Sequence, residues 1–211
     1  MRRLPADMGQ VERQVTDIVV RVLRARPLGK PECQQLLTFL VNKHSPELPA
    51  DLYQTLDSMF IALKGYRQGM DQKEARRIPV DCCFGPPYSF IVEVDEVQHF
   101  TSYKATALNH YPEDASLGFD LQEYLQLCER YADEAYRKGP SGYRKPKPEF
   151  PFDGGRAAQR AFFDAFKDLL PARHGLRPTL RIPVLTSAVD GQDVERRIRR
   201  YLDANGLPVP Q

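Results

Sequence analysis

Two carboxylates set in a run of strand-forming apolar residues are the part of this sequence best suited to chemistry. Phe90-Ile91-Val92-Glu93-Val94-Asp95 follows Arg77-Ile78-Pro79-Val80-Asp81 across a short turn at Gly85-Pro86-Pro87. Strand side chains alternate, so Ile91, Glu93 and Asp95 share one face while Phe90, Val92 and Val94 share the other, with same-face neighbours roughly 6–7 Å apart. A buried, uncompensated carboxylate is costly, and a divalent cation is an economical compensation. If the first run pairs antiparallel with the second, Asp81 comes alongside Glu93 or Asp95, and the three oxygen donors suit Mg²⁺ or Mn²⁺. The competing reading is a set of edge-strand charges that face water or pair with arginine. His99, four residues beyond Asp95, is either an acid, base or phosphate contact or a structural hydrogen-bonder. Glu96 is expected to face away from Glu93 and Asp95.

The elements that must hold these residues can be read from periodicity. Val11, Val15, Ile18, Val19 and Val22 predict an amphipathic helix over about 8–26, closed by Pro27 and Gly29. Further helices are expected at about 31–44 and 50–66. From Arg77 the period becomes extended, and the Gly-Pro-Pro turn predicts a hairpin. Helical sequence resumes at about 118–138. A basic, Pro-rich stretch from Arg137 to Pro148 reads as an exposed loop or lid. A helix at about 155–170, a strand at Thr179–Leu185 and a last helix at about 190–204, ending at Asn205-Gly206, complete the chain. The expected organisation is an N-terminal helical part, residues 1–70, and an α/β domain, residues 71–211.

Composition sets the outer limits. The 211 residues are 42% apolar, enough for a sizeable core. A net charge of +2 means that any affinity for nucleic acid must come from local patches. Cys33, Cys82, Cys83 and Cys128 show no CxxC spacing and read as reduced, packed thiols of a cytoplasmic protein. No segment approaches the ~18–20 consecutive apolar residues of a membrane span, and Met1–Asp7 lacks the apolar core of a signal peptide.

The strand–turn–strand residues resemble the PD-(D/E)XK nuclease superfamily, and within it the branch of very-short-patch-repair endonucleases. Pro79-Val80-Asp81 and Glu93-Val94-Asp95 match the first two motif elements, and Gln98-His99-Phe100 is similar to the polar continuation of that branch. Arg156–Leu170 and Leu180-Arg181-Ile182-Pro183 are similar to the following helix and strand. The resemblance implies a restriction-endonuclease-like core, a mixed sheet flanked by helices, with N-terminal helices and a helix-plus-loop insertion at 101–154 that supplies specificity. It also implies metal-assisted phosphodiester hydrolysis with Asp81 and Glu93 as ligands and Asp95 as a further or alternative one. Asp95 stands where the family most often has lysine. Some members carry that lysine on the next helix, which makes Lys167 the candidate. Gln159, polar within the apolar stripe of Phe162, Phe163, Phe166, Leu169 and Leu170, either hydrogen-bonds near the carboxylates or is a satisfied core glutamine. Arg156, Arg160 and Lys167 fall on the rim of that stripe.

Basic residues lie beside aromatic ones in the 136–152 region. Arg144, Lys145 and Lys147, with Arg156 and Arg160, are the candidates for holding a phosphate backbone. Arg196, Arg197, Arg199 and Arg200 form a second basic face on the last helix, either a backbone contact or ordinary exposed charge. Three classes of function are consistent with these residues. The first is a metal-dependent nuclease acting on nucleic acid, DNA foremost, in repair, mobile-element or defence processes. The second is an inactive nucleic-acid-binding or scaffold subunit of the same fold. The third, a glycosidase-type hydrolase, is disfavoured because its two carboxylates must flank a substrate rather than sit two residues apart on one strand. Cutting two strands calls for a homodimer or a partner protein, although no heptad declares one. Glu93→Ala is expected to abolish cleavage with little loss of fold.

Overall fold

Valines and isoleucines spaced three and four apart give the first helix a face that must be buried, and the sheet provides the surface for it. The computed structural model describes residues 9–44, 48–138, 141–186 and 188–209. The reading of Met1–Asp7 and the Gly139-Pro140 step of the Pro-rich stretch lie outside them. In chain order the helices are α1 (Gln10–Leu23), α2 (Lys30–Leu36), α3 (Ala50–Ala62) and α4 (Arg67–Asp71). Strands β1 (Cys82–Phe84) and β2 (Phe90–Glu96) follow, then a 3₁₀ turn at Val97–His99. Next come α5 (Ser102–Leu108), α6 (Leu121–Lys138), α7 (Gly155–Arg173), β3 (Leu180–Val184) and α8 (Gly191–Ala204). No described helix is long and apolar enough to cross a membrane.

The protein is α/β, with a three-stranded mixed sheet in the order β1-β2-β3. β1 pairs antiparallel with β2, Cys82 opposite Val92, and β3 pairs parallel with β2, Glu93 opposite Arg181. The expected first strand is shorter than its apolar pattern. Asp81 stands just before it, and Arg77 makes only an isolated bridge to Val41. The three prolines at 79, 86 and 87 remove backbone donors that a longer ladder would need.

The period-two alternation of β2 divides the interior. Phe90, Val92 and Val94 join α1 (Val15, Val19, Val22), β3 (Ile182) and α8 (Ile198, Leu202) on one side. Ile91 joins α3 (Leu56, Phe60), α6 (Tyr124) and α7 (Phe162, Phe166) on the other. The N-terminal helices therefore cover both faces of the sheet, α1 one and α3 the other, across the boundary expected near residue 70.

Three expectations need correction. Cys33 and Cys83 are joined as a disulfide, with Cα atoms 6.2 Å apart, while Cys82 and Cys128 are free and buried. The partners are 50 residues apart in sequence, a spacing without any local motif to announce it. The segment 101–154 is also more than a specificity appendage, because α5 and α6 build part of the core. Tyr124, Cys128 and Phe150 are all buried. Within the Pro-rich stretch, Ser141–Arg144 forms a 3₁₀ turn rather than an irregular loop.

Candidate active site

The site is assembled where β1 gives way to the chain before it. The Val94 backbone N–H donates to Asp81 Oδ2 (2.7 Å), and the Asp81 N–H donates to Glu93 Oε1 (3.3 Å), so the two carboxyls continue the β1–β2 pairing beyond its last ladder bond. From the opposite layer, Lys167 of α7 donates to Glu93 Oε2 (2.5 Å) and lies 3.8 Å from Asp164 Oδ1. Asp81, Glu93 and Lys167 therefore meet from three separate segments. Glu93 and Lys167 are buried, 2% and 8% exposed, and Asp81 is half-buried.

The electrostatics of this group are unbalanced. Burial first, and then the Glu93 charge, push the Asp81 carboxyl up to about 8. Burial also raises Glu93, even with Lys167 and Arg181 nearby. Burial works against the charge of Lys167, but Glu93, Asp164 and Asp81 together hold its ammonium above the ordinary lysine value. Were both ionised, Asp81 and Glu93 would carry more negative charge than Lys167 compensates, a donor set that fits a hard divalent cation with oxygen ligands. Asp81 also lines a cavity of about 490 Å³ between α2 and the Arg77–Cys83 segment.

Asp95 is placed differently from the expectation of a three-carboxylate cluster. It shares the Glu93 face but turns to the protein: Arg181 Nη1 donates to both of its oxygens (2.9 and 3.1 Å). His99 Nδ1 lies 2.5 Å from Oδ1, and the Tyr124 hydroxyl donates to Oδ2 (3.1 Å). Against the cost of burial, Arg181 and His99 hold Asp95 well below the usual carboxylate range. Asp95, His99 and Asp164 bring potential metal-binding atoms within 4.8 Å of one another. Cationic side chains already neutralise this group, however. Arg181 bonds Asp95, and Lys104 Nζ donates to Asp164 Oδ2 (3.2 Å). It fits an added cation less well than Asp81 and Glu93 do.

His99 is a link rather than a free acid or base. Its Nδ1 faces Asp95, and its Nε2 takes a hydrogen bond from Arg160, which requires the neutral ring with its proton on Nδ1. Burial and then the Arg160 charge hold it below the ordinary histidine value, overcoming Asp95. Arg160 also donates to the Tyr143 hydroxyl (2.5 Å). Gln159 does not reach the carboxylates. Its Nε2 donates to Glu149 (2.5 Å), and its oxygen accepts from Arg156. It is the satisfied core glutamine of the two alternatives.

The basic candidates gather at the start of α7. Arg156 N–H donates to the Lys145 carbonyl and Gly154 N–H to the Arg144 carbonyl, both 2.9 Å, which brings these residues close to Arg160. Arg144, Lys145 and Arg156 are exposed, and Lys147 is half-buried. On α8, Arg196, Arg197 and Arg199 are engaged by Asp193, Glu123 and Glu195, which lowers their availability to a partner.

Sequence reasoning missed the residues that organise this face. Arg181, 2% exposed, bonds Asp168 (2.7 Å) as well as Asp95. Lys104 lies 3.7 Å from Asp168, and the Tyr111 hydroxyl donates to it (2.6 Å). The signal was present as Arg160, Asp164, Lys167 and Asp168, spaced i, i+4, i+7 and i+8 along one helix face, and as one arginine inside Leu180–Val184.

The site is thus a helix-borne lysine delivered to paired carboxylates at the edge of a small mixed sheet. The sequence profile of a family of unknown function (DUF7255) matches residues 59–150, under half of the chain. That match contains Asp81, Glu93, Asp95 and His99 but stops before Lys167 and Arg181. No curated protein and no solved structure matches the chain.

Proposed function

We propose that this protein is a metal-dependent nuclease that hydrolyses phosphodiester bonds of nucleic acid, with DNA the foremost substrate, on a restriction-endonuclease-like core. The observation that carries the proposal is the meeting of Lys167 with Glu93 beside Asp81. These are the residue types of the motif the sequence resembles, with the lysine supplied by α7 instead of by position 95. Asp81 and Glu93 would hold Mg²⁺ or Mn²⁺, which when bound supplies an activated water and neutralises charge on the phosphoryl oxygens. Lys167, kept charged by its carboxylate neighbours, offers a donor at the reacting centre. Arg160 lies on the same face of α7, seven residues and therefore about 10 Å along the axis. Together with Arg144, Lys145 and Arg156 it would hold the backbone leading to the site. Asp95, His99 and Arg181 act through position: Asp95 anchors the His99 ring, and His99 anchors Arg160.

The test is incubation of labelled single- and double-stranded DNA and RNA with Mg²⁺, Mn²⁺ or EDTA, for the wild type and for Asp81→Asn, Glu93→Gln and Lys167→Met. Ion-dependent cleavage that falls about 10²-fold or more in each variant is the expected result. Cleavage unaffected by Asp81→Asn would overturn the assignment. The second reading, an inactive nucleic-acid-binding subunit, is favoured by one observation: Lys167 pairs directly with Glu93 and so competes with a cation for that carboxylate. Tight nucleic-acid binding with no turnover under any ion would select it.

A further inference from the structure

We propose that the cavity beside Asp81 is a pocket for one unpaired nucleotide, which makes single-stranded nucleic acid, rather than continuous duplex, the ligand of this site. The inference deepens the nuclease reading and rests on it for the identity of the polymer.

The cavity volume, about 490 Å³, lies within the roughly 300–1,000 Å³ typical of small-ligand sites. Its wall combines apolar Leu28 and Ile78 with the exposed cations Lys30 and Arg77, and Asp81 is also part of it. That mixture suits a base laid against aliphatic side chains with its phosphates toward the two cations. Glu12, the other carboxylate on the wall, repels phosphate, whereas Lys30 and Arg77 attract it.

One side of the pocket is formed by α2 and the chain leading into it. This short helix has no fully buried residue of its own, and beyond the partial packing of Cys33 and Leu36 on the core it is tied to the strand region by direct links. Three are present: the Cys33–Cys83 disulfide, the Leu28 N–H bonded to the Cys83 carbonyl (2.8 Å), and Arg77 bonded to the Gln34 carbonyl. Held in this way, α2 leaves a space of nucleotide size beside Asp81. A base still stacked and paired in a duplex cannot enter such a space, whereas an unpaired one can.

The experiment measures fluorescence anisotropy of a labelled 12-mer DNA strand and of its duplex, at low salt with Ca²⁺, against the wild type, Leu28→Trp and the surface variant Lys30→Glu. Circular dichroism establishes that each variant is folded. The expected result is single-strand affinity at least about tenfold above duplex affinity. A comparable loss of that affinity is expected in both variants, with duplex binding little changed. Equal binding of both forms, absence of binding, or indifference to both substitutions would overturn the pocket. The same samples are then given Mg²⁺ and Mn²⁺. Pocket-dependent binding without cleavage would remove the nuclease reading and leave the pocket standing, whereas duplex cleavage indifferent to both substitutions would do the reverse.

Discussion

At the scale of single residues, Asp81 and Arg181 are both ionisable groups withdrawn from water, and they respond to substitution in opposite directions. Arg181 sits among Asp95, Asp164 and Asp168, so its removal leaves buried Asp95 without a cation and leaves Asp164 and Asp168 to the lysines beside them. Arg181→Leu is expected to destabilise the fold by about 3–5 kcal/mol in urea titration. Asp81 is instead a carboxyl that burial and the neighbouring Glu93 keep from ionising. Its folded carboxyl is raised to about 8, so the native state retains a proton that the unfolded chain releases near pH 4. Its contribution to stability therefore falls as pH rises from about 4 to about 8 and then levels off. Denaturation midpoints of wild type and Asp81→Asn, measured across that window without divalent ions, should diverge in favour of the variant as pH increases. Glu93 lies between these cases. Glu93→Ala leaves Lys167 with Asp164 at 3.8 Å as its nearest acidic partner. The expectation of little loss of fold therefore gives way to a measurable one, and Glu93→Gln is the better probe of chemistry.

At the scale of elements, α7 explains what could and could not be read from sequence. The faces of α1 and α8 were legible because each buries one apolar stripe and leaves the other side to water. The alternation of β2 was legible for the same reason, with period two in place of 3.6. Helix α7 is buried on two sides, so its charged stripe looked like a rim while it actually faces Glu93, Asp95 and Arg181 across the layer. A one-faced template has no place for a second, ionic interface. Asp81 and Glu93 were readable from residue types and spacing, and the candidate lysine from the family resemblance that those residues carry. The turning of Asp95 toward Arg181 was not, because it depends on a parallel pairing set by a strand 86 residues away. Helix α6 tests the same idea from the other side. Tyr124→Phe removes one hydrogen bond to a buried carboxylate and should lower stability by about 1.5–3 kcal/mol, which thermal denaturation would register. An appendage that served specificity alone would show no such loss.

For the whole molecule, the disulfide ties the helical N-terminal third to the sheet. Closing a loop of 50 residues lowers the entropy of the unfolded chain by an amount worth about 4 kcal/mol. Addition of dithiothreitol should lower the urea midpoint of the wild type and leave Cys33→Ser/Cys83→Ser unchanged. The two apolar clusters on opposite faces of one sheet predict that the transition stays cooperative in both states.

The pairing of β2 with β3 also governs how the chain leaves the ribosome. Glu93 and Asp95 emerge early, but Lys167 follows Glu93 by 74 residues and Arg181 follows Asp95 by 86. At about 5–20 residues per second, the central strand spends roughly 4–17 s with its carboxylates exposed and its far edge unpaired. Acidic side chains on that waiting face keep it hydrated and repel a second nascent copy. The same charges that build the site thus guard the strand against aggregation until its last neighbour arrives.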